Sequence, residues 1–363
     1  MRFVLCVICL LLLNLIYPST GQAEPGVSAS NAILIEQSTG RVLFEKQAHE
    51  EELIASITKI MTGLLAIESG MMKEKATTSR KAVYTEGSSI YLEQGEKITI
   101  EDLVYGLMLR SGNDAAIALS EHIGGSEEGF VYLMNEKANW LGMTNSNFEN
   151  PHGLDSDNHY STAYDMALLM SRAMDNEQFR EVSETTSYQS SNRSYSWQNK
   201  NKLLTQYYDN STGGKTGFTR SSGRTLVSSA NKNGMDLIAV TLNAPNDWED
   251  HIAMFEWGFE NFDMKSIAGE GKQEYLLEKS DTIGYLHRDL VFPLTEDEMA
   301  NIDNQSYLLK ENNRTDNVIG RTEFYLGENK IMETSIFNDH SGLEEEGFFQ
   351  NVFSLYKKVI GLY

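Results

Sequence analysis

A hydroxyl and an amine stand three residues apart at Ser56 and Lys59, within Ile54-Ala55-Ser56-Ile57-Thr58-Lys59-Ile60-Met61. Ile57, Ile60, Met61, Leu64, Leu65 and Ile67 recur at helical spacing as far as Gly70, which predicts an amphipathic helix over residues 56–69. Positions i and i+3 share a helix face, so the two side chains can touch. A serine hydroxyl becomes a useful nucleophile when a neighbouring base takes its proton, and a buried lysine can be that base. Burial and a second nearby cation both hold such a lysine uncharged, because each disfavours the ammonium form. The helix start also leaves free backbone N–H groups where negative charge would develop. The chemistry this points to is nucleophilic catalysis by serine.

The pair alone is not specific, since Ser229/Lys232 and Ser354/Lys357 repeat the same spacing. Ser56 differs in its company. Ser111-Gly112-Asn113 closes an apolar run (Leu103, Val104, Leu107, Met108, Leu109), and Lys215-Thr216-Gly217 follows later. Ser-x-Asn also recurs, at Ser190/Asn192 and Ser229/Asn231, but Lys-Thr-Gly occurs once. All three motifs in this order, each at the edge of a predicted element, make a strong signal.

The elements that must position them read as follows. Ala32–Glu36 and Arg41–Glu45 form a hairpin around Gln37-Ser38-Thr39-Gly40. Ile90–Leu92 and Lys97–Ile100, flanking Gln94-Gly95, suggest a second one. Helices are expected over Glu101–Leu109, Asp114–Ile123, Gly129–Leu141, Ala163–Met174 and His251–Phe262. Thr162 and Asp165 make a capping box for the fourth of these. Residues 183–196 are polar and read as a surface excursion. Arg224–Ala230 and Met235–Asn243 read as adjacent strands. From Met264 onward the texture changes to short alternating segments, with 264–270 as a linker into a small all-β domain.

The chain has 363 residues, enough for two domains, and its 40% hydrophobic content supplies an ordinary soluble core. Its formal charge of -22 argues against a nucleic-acid partner, which would require phosphate neutralisation. Residues 3–16 are an apolar run after Arg2, and Gly21-Gln22-Ala23 offers small residues at a cleavage site. Residues 1–23 therefore read as a secretory signal peptide, the alternative being a retained anchor. Both cysteines, Cys6 and Cys9, lie inside it, so the mature chain has no disulfide, thiol nucleophile or cysteine metal site. The histidines show no metal-ligand spacing, and neither metal nor cofactor is expected. At the other end, Phe348, Phe349, Val352, Phe353, Tyr356, Val359, Ile360 and Tyr363 share one helical face. Residues 344–363 read as an amphipathic helix lying flat on a membrane surface, the alternative being a helix packed on the β domain or a partner.

The triplet resembles the active-site motifs of penicillin-recognising serine enzymes. The spacings of 55 residues from Ser56 to Ser111 and 104 to Lys215, with Ala55–Thr62, Leu107–Ala115 and Asn150-Pro151-His152-Gly153-Leu154, look like the low-molecular-mass D-alanyl-D-alanine carboxypeptidases. The likeness is closest to the sporulation-associated member of endospore-forming bacteria. It implies an α+β fold. A DD-peptidase/β-lactamase-like catalytic domain, an antiparallel sheet flanked by helices, spans 24–263. A small β-rich domain over 271–340 and the C-terminal helix follow.

The implied activity removes the terminal D-alanine from peptidoglycan stem pentapeptides, on an exported enzyme at the outer face of the cytoplasmic membrane or the wall. Penicillins would acylate it. Carried over residue by residue, the resemblance makes Ser56 the nucleophile and Lys59 its base, with Ser111 relaying a proton to the leaving nitrogen. Asn113 would hold the peptide and orient Lys59. Lys215 would keep Lys59 neutral and attract the substrate carboxylate. Gly217 would let a peptide lie along the strand edge, and backbone N–H groups of Ser56 and Phe218 would hold the oxyanion. Thr216 and Thr219 are candidates for the terminal carboxylate. Some family members place an arginine after the next strand for that task. Here the segment is Asn243-Ala244-Pro245-Asn246-Asp247-Trp248, leaving Arg220 or Arg224 to substitute. His152 reads as loop-structuring rather than catalytic. Two other readings compete, a β-lactamase and a non-catalytic peptidoglycan-binding module. The first needs a deacylating Glu-x-x-Leu-Asn loop, whereas Glu149 is followed by Asn-Pro-His. The second would be expected to lack Ser56 or Lys59.

Overall fold

Strands β1 (Asn31–Glu36) and β2 (Val42–Lys46) form the predicted hairpin, in a computed structural model that describes residues 24–275, 282–309 and 317–338. The carboxylate of Glu36 closes its turn by accepting from the backbone N–H groups of Ser38 and Thr39. A 3-10 turn, Ala55–Thr58, precedes α1 (Lys59–Glu68). The helix expected from residue 56 thus begins one turn late. Ala55 has a φ of +49°, and Thr58 Oγ1 donates to the Ala55 carbonyl at 2.8 Å, which stabilises the tighter turn.

Then come β3 (Lys75–Thr77), α2 (Arg80–Val83) and β4 (Lys97–Thr99). The hairpin expected between 90–92 and 97–100 does not form, because β4 pairs with β3. The N–H groups of Ile90 and Leu92 donate instead to the Asp114 carboxylate at 3.1 Å. A side chain has taken the donors that a strand would need. Helices α3 (Ile100–Arg110), α4 (Asn113–Gly124), α5 (Glu127–Leu141) and α6 (Ala163–Met174) match expectation to within a few residues. The capping box at α6 is half formed. Thr162 Oγ1 accepts from the Asp165 N–H, but the Asp165 carboxylate turns to Asn145 and Ser146 and ties down that loop.

Helix α7 (Glu177–Glu184) is followed by a two-residue ladder, β5 (Ser187–Tyr188) with β6 (Trp197–Gln198). This polar stretch is anchored: Tyr188 stacks on Tyr105 with ring centres 3.7 Å apart and donates to Asp102 at 2.9 Å. Strands β7 (Ser211–Thr219), β8 (Gly223–Lys232) and β9 (Met235–Leu242) complete an antiparallel sheet in the order β2-β1-β9-β8-β7. Helix α8 (Asp247–Asn261) closes this first unit. Every residue of β1 is buried because both sheet faces are covered. Ile33, Ile35, Ile238 and Val240 join the main helical core on one face. On the other, Leu34 and Leu237 come so close to α8 that a Cβ on Gly258 would lie 2.9 and 2.8 Å from them. Of the two edge strands, β2 and β7, it is β7 that carries Lys215 to Thr219.

The second unit begins at Phe262. The expected linker over 264–270 is largely a strand, β10 (Asp263–Ala268), paired with β13 (Leu290–Leu294). Strands β11 (Gly271–Tyr275), β12 (Thr282–Leu286), β14 (Ile302–Leu308), β15 (Val318–Leu326) and β16 (Asn329–Phe337) form a sheet ordered β11-β12-β16-β15-β14. Residues 318–326 form a single nine-residue strand, β15. Leu286, Leu290 and Phe324 make a small core. The signal peptide expected over 1–23 and the amphipathic helix over 344–363 lie outside the described residues.

Candidate active site

The lysine at the start of α1 has no access to solvent. Its Nζ lies 3.1 Å from Ser56 Oγ, 2.7 Å from Asn113 Oδ1 and 2.5 Å from the His152 carbonyl. Burial pushes the Lys59 ammonium well below its ordinary pKa, and the charges of Lys215 and Lys200 push it further down. A neutral lysine keeps a lone pair, so one hydroxyl proton on Ser56 has somewhere to go.

The second motif sits between two helices. Ser111 ends α3 in the left-handed conformation, with φ +64°, and α4 starts two residues later. A non-glycine residue held there costs about 1–2 kcal/mol, which the surrounding packing must offset. A Cβ on Gly112 would lie 2.8 Å from the Asp114 carboxylate and displace it. Asn113 Nδ2 donates to the Glu86 carbonyl at 2.6 Å, which leaves Oδ1 to accept from Lys59 Nζ.

The third motif lies on the edge strand. Lys215 is 2% exposed, and its Nζ donates to Ser111 Oγ at 3.1 Å and to the Thr216 carbonyl at 2.7 Å. Burial, then Lys200, lowers its pKa to about 7. The two serines and two lysines thus form two hydrogen-bonded pairs, coupled by the effect of the Lys215 charge on Lys59. At Gly217 a Cβ would lie 2.4 Å from Thr225 Oγ1 and 2.9 Å from the Ser56 nitrogen. Its bare side faces the nucleophile turn, allowing strand and turn to approach. Phe218 exposes its side chain on the same strand. Thr219 Oγ1 is engaged with Asp155 at 2.8 Å and with Ser222. A substrate carboxylate there would face Asp155, so the geometry speaks against Thr219 as its anchor.

A cleft of about 320 Å³ opens over Ser56, Ser111, Thr216, Gly217 and Phe218, with Ser88 and Lys200 also in its wall. Arg224, Asp247 and Trp248 complete the lining. Arg224 stands on β8 opposite Phe218. Its Nε and Nη2 donate to one oxygen of Asp247 at 2.9 and 2.6 Å, and its guanidinium lies 5.5 Å from the centre of the Trp248 ring. Arg220 is exposed and does not line the cleft. Sequence reasoning left those two arginines open and missed Ser88, Lys200, Asp247 and Trp248 altogether. Nothing in their local pattern signals the cleft.

The loop Asn150–Leu154 cradles the nucleophile from the far side. Thr62 Oγ1 donates to the Pro151 carbonyl, and a Cβ on Gly153 would lie 2.0 Å from the Ala55 carbonyl. His152 Nδ1 accepts from the Leu154 N–H, and burial first, then Lys59, lowers its pKa to about 3. The ring is neutral and serves the loop.

A buried lysine of lowered pKa against a serine, faced by a second serine–lysine pair, defines a serine peptidase site of the Ser-x-x-Lys kind. The chain belongs to the peptidase S11 family of D-alanyl-D-alanine carboxypeptidases, which matches residues 19–246. It is 38% identical to the D-alanyl-D-alanine carboxypeptidase DacF of Bacillus subtilis, over 73% of this chain and 74% of that one. Its fold is similar to penicillin-binding protein 5 from Haemophilus influenzae. The TM-score is 0.75 at 27% identity, covering 88% of this chain and 99% of that one. It is also similar to a mutant of the Streptomyces K15 DD-transpeptidase, with TM-score 0.62 and 30% identity over 65% of this chain and 100% of that one. Family membership favours the carboxypeptidase reading over both the β-lactamase and the binding module.

Proposed function

We propose that this enzyme releases the terminal D-alanine of peptidoglycan stem peptides through an acyl-enzyme on Ser56. The observation that carries this reading is the fully buried Lys59 Nζ, 3.1 Å from the Ser56 hydroxyl, where burial and the Lys215 charge disfavour its ammonium form. Ser56 Oγ attacks the carbonyl between the two D-alanines and passes its proton to Lys59. Backbone N–H groups of Ser56 and Phe218 hold the oxyanion; losing one such donor typically slows a reaction about a hundredfold or more. The C–N bond breaks as Ser111, hydrogen-bonded to Lys215, relays to the leaving D-alanine nitrogen the proton that Lys59 took from Ser56, so that Lys59 and Ser111 both return to their starting states. Water then hydrolyses the ester and restores Ser56. Asn113 orients Lys59 and the peptide. Thr216 and Arg224 take the terminal carboxylate, with Asp247 holding the guanidinium in place.

The test is intact-mass spectrometry after brief exposure to benzylpenicillin. A stable adduct mapped to Ser56 is expected, and it is absent from Ser56→Ala. Rapid drug loss without an adduct would instead indicate a β-lactamase, and neither adduct nor loss a binding module. We further propose an exported enzyme acting in cell-wall or spore-cortex maturation, with residues 24–263 catalytic, 271–340 a separate β-rich domain and 344–363 a membrane-surface helix. Deleting 344–363 should release active enzyme from vesicles; unchanged vesicle binding would refute the anchor.

A further inference from the structure

Beside the catalytic cleft lies a second recess of about 300 Å³ that shares Ser88 and Lys200 with it but does not include Arg224. Arg110 and Lys200 both line this recess, and no aspartate or glutamate does. Lys200 Nζ reaches only Ser88 Oγ at 3.3 Å, and Arg110 Nη1 reaches the Gln198 carbonyl at 3.0 Å. Among the described residues neither cation has a carboxylate within ion-pair distance. That is unexpected in a chain with 52 acidic and 30 basic residues. Arg193, which reaches the carbonyl of the lining residue Tyr91, is by contrast paired with Glu96 at 2.6 Å. Partial burial, then the Arg110 charge, lowers the pKa of Lys200, as expected for two cations facing one cavity without a counter-ion.

The recess is tied to the catalytic machinery by covalent and hydrogen bonds. Arg110 directly precedes Ser111, and the Lys200 N–H donates to the Leu109 carbonyl at 3.1 Å. Tyr91 and Tyr195, both exposed, stand in its wall. A substrate ending in D-Ala-D-Ala carries one carboxylate at its terminus, for which Arg224 is available. Its two methyl side chains bring no other charge. A second anion can therefore come only from the part of the peptide before the scissile pair.

We propose that the Arg110–Lys200 recess binds a free carboxylate on the side chain that precedes D-Ala-D-Ala, so that the enzyme prefers stem peptides acidic at that position. This rests on the peptidase reading above. The probes are Nα-acetyl-L-2-aminoadipyl-D-Ala-D-Ala and its side-chain amide, which differ only in that charge. The wild-type enzyme should favour the acid about tenfold in kcat/KM at low ionic strength, and the preference should shrink as salt screens it. Arg110→Gln should bring the ratio close to one, Arg110→Lys should keep most of it, and Arg110→Glu should invert it. The ratio is read within each variant, so a general loss of activity does not obscure it. A wild-type ratio of one, or a ratio unchanged in Arg110→Gln, would overturn the proposal. Release of D-alanine from neither probe would overturn the peptidase reading itself, and this inference with it.

Discussion

Replacing Arg224 by glutamine tests the assignment of the carboxylate anchor, because it separates binding from stability in a calculable way. A hydrogen bond to a charged group contributes about 1.5–3 kcal/mol. The Arg224 side chain is 41% exposed and already shares its charge with Asp247, so the lower part of that range applies. About 1.5–2 kcal/mol corresponds to a fall of roughly 10- to 30-fold in kcat/KM. Stability complicates the reading: Asp247 is only 3% exposed, and the substitution leaves it without its partner. Breaking a fully buried pair costs about 3–5 kcal/mol, and this half-exposed one less.

Burial already raises the Asp247 carboxyl above its ordinary value of 3.8 despite Arg224. Losing the arginine raises it further. The folded state then holds that proton more tightly than the unfolded chain, so the variant loses stability as pH rises through that interval. Its deficit in Tm should therefore be smallest in acid. The double variant Arg224→Gln/Asp247→Asn removes the orphaned charge and should recover most of the Tm without recovering activity. The assay is kcat/KM for one D-Ala-D-Ala peptide with a free terminus against its C-terminal amide. The acid-over-amide preference should collapse in both variants. A double variant that folds and keeps the wild-type preference would refute the assignment, as would a matching collapse in Arg220→Gln.

Lys215→Gln should shift the acid limb of the pH–kcat/KM profile upward. Lys215 is the second-largest cause, after burial, holding Lys59 below its ordinary pKa, and removing that positive charge lets Lys59 keep its proton to higher pH. An unmoved limb, measured on a peptide substrate from pH 5 to 10, would contradict the coupling. Gly217→Ala should cut turnover by about a hundredfold or more, since displacing a reacting group by an ångström has that effect. The new methyl must push β7 away from Thr225 and the Ser56 nitrogen. Near-normal benzylpenicillin acylation in this variant would show that the close approach is unnecessary. Gly258→Ala should lower stability by about 1–3 kcal/mol through overpacking against Leu34 and Leu237, with kcat/KM unchanged. Denaturant unfolding checks the first part and steady-state kinetics the second.

What was legible in the chain follows from the range of the interactions involved. Hairpin β1–β2, helices α3 to α6 and strands β8–β9 write their burial into periodic apolar positions, and their turns into Gly and Asn. The three motifs were legible by residue type and order; the first two lie at the ends of helices α1 and α3, whereas Lys215–Gly217 lies inside β7. Helix α7 was not anticipated, since Glu-Gln-Phe-Arg-Glu-Val-Ser-Glu offers only Phe179 and Val182 to the core. Strand β10 passed for a linker because its identity depends on pairing with β13, more than twenty residues away. The choice between Arg220 and Arg224 is likewise a matter of register. Pairing β7 with β8 sets Arg224 opposite Phe218, while Arg220 falls in the connecting turn and faces solvent.

The feature least visible in sequence is the one that holds the nucleophile. Ser56 follows a residue with positive φ, at the start of a 3-10 turn whose own hydrogen bonds are poorer than those of an α-helix. Such a turn persists only if its surroundings over-determine it. Three contacts do so. His159 Nδ1 accepts from the Glu149 N–H, which leaves Nε2 as the donor to Thr58 Oγ1, and Thr58 in turn donates to the Ala55 carbonyl. Burial lowers the His159 pKa to about 4, so that tautomer is maintained at neutral pH. Gly153 packs against the same carbonyl, and Thr225 Oγ1 donates to Ile54 from the opposite side. Loop, helix start and sheet therefore meet on two residues before the serine. Asn150–Leu154, which contributes no side chain to the cleft lining, belongs to the catalytic apparatus because it fixes where Ser56 and Lys59 stand.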